Sequence, residues 1–199
     1  MGFFRLDDES QKRIAKETGA RIAEILGGES RWDASDEKEI VTGTYAGHPV
    51  RVRLDATFGT LWFEMNAEPR FPSIGQLHLA QDSDKKAEQS ATPPRDDFED
   101  PTRRDDFTYF VTDTVHAGDG APDAAFTLDM LERLPTALRD DLLAALEPDH
   151  SHFTLFHSQI LVRCGGEQLG EPGVEAVVER YLALLVRLNA AFRAIWRVE

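Results

Sequence analysis

The chain predicts an α+β fold: antiparallel sheet, an N-terminal helix, a central helical pair and a long C-terminal helix packed on the sheet. Three observations carry this. Apolar residues recur at three- and four-residue spacing near both ends and at period two in between. The strand-like segments come in adjacent runs without β–α–β alternation, which disfavours a doubly wound parallel sheet. Finally, a chain of 199 residues with 41% hydrophobic residues is long enough for one core without a disulfide or metal staple.

Residues 7–27 read as the first helix. Ile14, Thr18, Ile22, Ile25 and Leu26 form its stripe, Asp7 or Asp8 can accept from its free N–H groups, and Gly27-Gly28 ends it. From Ile40 the period is two. Ile40–Tyr45 and Val50–Leu54 flank the turn Ala46-Gly47-His48-Pro49, with Val50, Val52 and Leu54 on one face and Arg51 and Arg53 on the other. Thr60–Met65 alternates Leu61, Phe63 and Met65 against Thr60, Trp62 and Glu64, and Gln76–Gln81 follows, completing an expected four-strand meander. Residues 82–106 hold nine acidic and five basic residues with Pro93, Pro94 and Pro101. Such a segment buries too little apolar surface to offset its ordering entropy, so it is expected to be a surface excursion or linker. The organisation expected is one domain over 1–199, with two lobes, 1–81 and 107–199, as the alternative.

Phe107–Val115 has strand composition, and Ala125–Leu128 is a candidate short strand. A helical stretch runs from Asp129 to Leu146, broken at Pro135, whose missing N–H is no loss in a first turn. His152–Phe156 and Gln159–Cys164 form a hairpin in which Phe153 faces Val162 and Leu155 faces Ile160. Pro172 to about Arg197 is the longest helix, about 25 residues or about 37 Å. Its wide apolar arc, with Leu185, Phe192 and Trp196, covers the sheet or pairs with a second copy.

The run Gly118-Asp119-Gly120-Ala121-Pro122-Asp123-Ala124-Ala125-Phe126, then Leu134-Pro135, Leu138, Leu142 and a hairpin, resembles uncharacterised bacterial domains. Those carry approximately G-D-x-x-F-D-x-x-F, then a Leu-rich helix and two strands, often beside membrane helices. The resemblance spans residues 118–164, departs from the pattern at Pro122, and implies no activity.

Charge and motifs bound the function. With 36 acidic against 22 basic residues and a net charge of −14, a broad nucleic-acid surface is disfavoured, as is adsorption to an anionic bilayer. No segment reaches the length of a membrane span, no apolar leader opens the chain, and the one cysteine, Cys164, has no intramolecular disulfide partner. A cytoplasmic protein is therefore expected. Five Lys against seventeen Arg fits high-GC bacterial coding.

Neither a nucleotide cradle nor a nucleophile elbow is present, and no cofactor is expected. Asp113, Asp119 and Asp123 miss the spacing of a calcium loop. Asp149, His150 and His152 are the metal candidates, since His-x-His places two imidazoles on one side of a strand. His157 lies about 16 Å from His152 along the strand and cannot share an ion with it. Arg51, Arg53 and Trp62 form a candidate interface patch, because Arg and Trp are enriched among anchors; the competing expectation is that a helix covers Trp62.

The reading that follows is a non-enzymatic acidic binding protein of adaptor, chaperone-like or immunity type, with a protein partner expected to be basic. Two alternatives stay open: a metal-assisted hydrolase using His150 and His152, and a homo-oligomeric structural subunit joined through the C-terminal helix.

Overall fold

The computed structural model describes residues 8–57, 59–67, 70–71, 76–81, 102–104, 107–112, 129–146, 151–156, 158–164 and 173–196. Helix α1 (Asp8–Leu26) opens the chain. Its end is set by Gly27 at φ +56°. Gly28 N–H donates to Ala23 C=O at 2.9 Å and Gly27 N–H to Glu24 C=O at 3.3 Å, the paired bonds of a Schellman stop.

Nine strands follow among the described residues: β1 (Glu29–Asp33), β2 (Lys38–Tyr45), β3 (His48–Asp55), β4 (Thr60–Asn66), β5 (Gln76–Gln81), β6 (Thr102–Arg104), β7 (Phe107–Thr112), β8 (His152–Phe156) and β9 (Gln159–Cys164). Helices α2 (Asp129–Arg133) and α3 (Thr136–Leu146) lie between β7 and β8, and α4 (Val174–Trp196) closes the fold. The break at Pro135 falls between α2 and α3, and Pro135 C=O accepts from Leu138 at 2.9 Å and Arg139 at 3.0 Å.

All strands join one sheet in the order β1-β2-β3-β4-β9-β8-β5-β7-β6, and every pairing is antiparallel. The α+β expectation is met. The meander is corrected: the β8–β9 hairpin sits between β4 and β5, so one sheet spans the two segments that the alternative lobes would separate. The β2–β3 turn is also tighter than expected. Tyr45 pairs with His48, leaving Ala46 and Gly47 as a two-residue loop with φ +48° and +82°, the turn whose twist matches a hairpin. Strand β1 and the short β6, inside the expected 82–106 excursion, are additions. Residues 82–101 and 105–106 lie outside the described residues, as do 113–128, which hold the candidate strand Ala125–Leu128, the run at Gly118–Phe126 and the aspartates Asp113, Asp119 and Asp123.

The helices lie on one face of the sheet. Val41, Val52, Leu54, Leu61, Phe63, Met65, Phe153, Leu155, Ile160 and Val162 form a single buried cluster with Ile22 and Leu26 of α1, Leu138 and Leu142 of α3, and Leu182, Leu185 and Phe192 of α4. The register expected for the last hairpin is present: Phe153 opposite Val162 and Leu155 opposite Ile160. Phe63 stacks on Tyr181 at 5.0 Å, and the Tyr181 hydroxyl donates to Ala145 C=O at 2.9 Å, tying α4 to α3. Arg21 of α1 meets Glu175 of α4 at 2.7 Å. Where α1 hands over to the sheet, the backbones touch: a Cβ on Gly28 would lie 1.9 Å from Thr42 O, and one on Gly43 would lie 2.6 Å from Leu26 Cβ. Only glycine permits that approach.

No described helix is long and apolar enough to cross a membrane.

Candidate functional site

Strand alternation sends every second residue to the face that carries no described helix. On β3 these are Arg51, Arg53 and Asp55; on β4 they are Thr60, Trp62 and Glu64. Ile40 and Leu161 lie on this face too, and although buried they stand outside the core cluster.

Register aligns these residues across strands. The tight Ala46-Gly47 turn puts Ile40 opposite Arg53. Arg53 pairs with Trp62, Trp62 with Arg163, Arg163 with His152, and Arg31 joins from the β1 edge opposite Ile40. The line Arg31–Ile40–Arg53–Trp62–Arg163–His152 crosses six strands without a carboxylate, and the pairing continues to backbone positions Ala80, Thr108 and Arg103.

Trp62 is the centre of this line. The Arg163 guanidinium lies 4.9 Å from its ring centroid and that of Arg53 5.4 Å. The His152 ring meets it edge-on at 5.3 Å and 81°. Each guanidinium over the indole gains roughly 0.5–1 kcal/mol, more when water is excluded. Glu64, 7% exposed, serves both Arg53 and Arg51, the latter at 3.6 Å. Lys38 pairs with Asp55 at 3.7 Å. Arg163 has no carboxylate partner among the described residues. Nε of Arg53, Nε1 of Trp62 and Nε of Arg163 are buried and lack an acceptor there. Buried donors left without acceptors are costly, about 1–3 kcal/mol each.

The other expected residues fall elsewhere. Leu185 and Phe192 are fully buried within the chain. Neither side chain reaches the surface, so the arc that made α4 a candidate for self-pairing covers the sheet instead. Trp196 packs against Phe71 at 5.2 Å and Phe192 at 6.0 Å. Asp149 and His150 lie outside the described residues, and His152 leans on Trp62. Among the described residues no three His, Cys, Asp or Glu side chains gather to hold a metal ion. Cys164 sits on the Ile160/Val162 face, 1% exposed. Burial raises its thiol pKa above the ordinary value, opposed by Tyr181 and Arg180; Tyr181 is raised too, mainly by burial. A cleft of 240 Å³ between α3 and α4, bordered by Asp141, Tyr181 and Arg187, is below the usual range of about 300–1,000 Å³ for small-molecule sites. Its rim is tied by Arg187 to Asp141 at 2.6 Å.

Reading strands singly finds Arg51, Arg53 and Trp62 but misses Arg31, Arg163 and His152 as their companions. The signal for Arg163 is its position as the one charged residue in Ile160–Cys164. Its neighbour, however, is a strand about a hundred residues earlier, fixed by tertiary pairing.

The chain is similar in fold to the mycobacterial trehalose monomycolate transport factor A, TtfA. The two superimpose with a TM-score of 0.56 at 12% sequence identity, over 92% of this chain and 95% of that one. No family model matches the chain, and no characterised protein matches it in sequence. At that identity the likeness to TtfA establishes a shared fold.

Proposed function

We propose that this chain is a non-enzymatic protein-binding factor of adaptor or chaperone-like type, which docks its partner on the sheet face opposite α1, α3 and α4. The observation that carries the reading is the Trp62-centred line: a partly exposed aromatic flanked by guanidinia on the two neighbouring strands. Arg and Trp are the residues that dominate binding energy in protein interfaces, where a few anchors outweigh the remaining contacts. The fold shared with a mycobacterial transport factor supports a role in handling another molecule.

Site-specific photocrosslinking in the producing cell tests it. A photoreactive phenylalanine analogue at position 51 or 62 is expected to yield a discrete adduct with a different protein. No adduct at either position, or an adduct only with a second copy of this chain, overturns the reading.

A further inference from the structure

The whole-chain charge of −14 predicts a basic partner, but the sheet face opposite α1, α3 and α4 is not charged like the whole chain. At physiological ionic strength a charge acts over about 8 Å, so a docked segment responds to the groups beneath it. Around Trp62 those are Arg51, Arg53 and Arg163 against Glu64, with Asp55 paired to Lys38, a local excess of positive charge. Glu64 is already shared between two arginines, and Arg163 has no carboxylate among the described residues. A guanidinium offers a planar fork of donors suited to carboxylates. Arg53 and Arg163 are both partly exposed, their buried Nε atoms excepted.

Resting on the docking reading above, we infer that the segment bound on this face is an acidic, extended stretch of a partner protein, lying across the strands with its carboxylates on Arg53 and Arg163. The spacing fits. Arg53 and Arg163 flank Trp62 on neighbouring strands, two interstrand steps or about 9.6 Å apart. A peptide extended in the polyproline II form repeats every three residues over about 9.3 Å, so carboxylates at i and i+3 share one side and match this spacing.

The width of the line separates this ligand from a nucleic acid. The flanking register rows carry Glu29 and Glu64 with Arg51 on one side and Asp33 and Asp55 with Lys38 on the other, each with one carboxylate in excess. Each row is two residues along the strand from the arginine line, about 7 Å. One extended peptide fits between them. A duplex, with a phosphate charge about every 1.7 Å, would press phosphates against both carboxylate rows. A single strand gains most from successive stacking platforms, and here one indole occupies the line.

Fluorescence anisotropy of the full chain with labelled probes tests the inference. The probes are a peptide repeating Glu-Val-Thr, its Lys-Val-Thr counterpart and an oligothymidylate. The Glu-Val-Thr peptide is expected to bind, to weaken with salt, and to lose about tenfold or more in affinity in Arg163→Ala, as for a lost charge-assisted hydrogen bond. Arg51→Ala, at an exposed position, is expected to weaken it less. Circular dichroism melting confirms that each variant is folded. Arg163→Lys is the second variant: it retains the charge, and partial rescue is expected. Preferential binding of the Lys-Val-Thr peptide, or no peptide binding, overturns the acidic assignment while leaving the docking reading to the photocrosslinking result. Tighter binding of the oligothymidylate with the same dependence on Arg163 overturns both.

Discussion

Phe63 and Trp62 are neighbours on β4 and point to opposite faces of the sheet. Phe63 is fully buried in the core cluster and stacked on Tyr181. Trp62 is half-buried between two guanidinia and an imidazole. Both are large aromatics on the same strand, yet one face is closed by α1, α3 and α4, while the other assembles a charged line with donors that find no acceptor among the described residues. Apolar burial dominates the first face, although Glu39 Oε2 and Asn189 Oδ1 are buried there without hydrogen-bond partners among the described residues. On the second face, polar and charged groups are aligned across the strands by register.

The contrast can be broken on the helix-covered face first. Leu185→Asp places an unpaired charge in the core, where burial without a partner is strongly unfavourable. It is expected to destabilise by about 4–5 kcal/mol or more, the tail of single-substitution effects, seen as loss of cooperative thermal unfolding. An unchanged melting temperature would show that α4 does not rest on the sheet as described. Gly28→Ala comes next. Its Cβ would meet Thr42 O at 1.9 Å, and forcing backbone apart costs roughly 1–3 kcal/mol, read as a lower denaturant midpoint at an unchanged m-value.

Tyr181→Phe sharpens the comparison by removing one polar atom from the closed face. Loss of the hydrogen bond to Ala145 C=O is expected to cost about 1 kcal/mol. The same group sets an alkaline limit. Burial raises the folded-state pKa of both Cys164 and Tyr181 above their ordinary values of 9.0 and 10.0, so above those values the unfolded chain releases protons that the folded chain retains. Stability is therefore full below about pH 9 and falls as pH rises through 9 and 10 toward the raised values. Urea midpoints measured across that range are expected to decline less steeply in Tyr181→Phe. The smallest effect belongs to the face opposite α1, α3 and α4: Arg51→Ala removes the outer, 54% exposed guanidinium from a buried Glu64 that keeps Arg53, and is expected to change stability by about 1 kcal/mol or less, while reducing acidic-peptide binding.

The sequence shows the closed face more clearly than the open one. Apolar alternation in Val50–Leu54, Leu61–Met65 and Ile160–Cys164 places those strands and their inward residues, and the Leu138/Leu142/Leu146 spacing places α3. Strand β1 escapes because Glu-Ser-Arg-Trp-Asp has no apolar period; it is an edge strand held by pairing to β2. The insertion of β9 and β8 between β4 and β5 escapes because no local pattern records which strands are neighbours. The Trp62-centred line shares that fate. Arg51, Arg53 and Trp62 are legible from one hairpin and the next strand, whereas Arg163 and His152 reach Trp62 only through the β4–β9 and β8–β9 pairings.

The division of labour between the two faces is tested most directly by comparing Phe63→Ala and Trp62→Ala, each carrying the photoreactive residue at position 51, for thermal unfolding and adduct yield together. Phe63→Ala is expected to lose about 3–5 kcal/mol of stability. Trp62→Ala is expected to lose only about 1–2 kcal/mol from its cation–π and edge contacts, to remain folded, and to lose the heteroprotein adduct. If Trp62→Ala instead unfolds as readily as Phe63→Ala, or keeps the adduct at full yield, the indole belongs to the core and the face opposite α1, α3 and α4 is not where the partner docks.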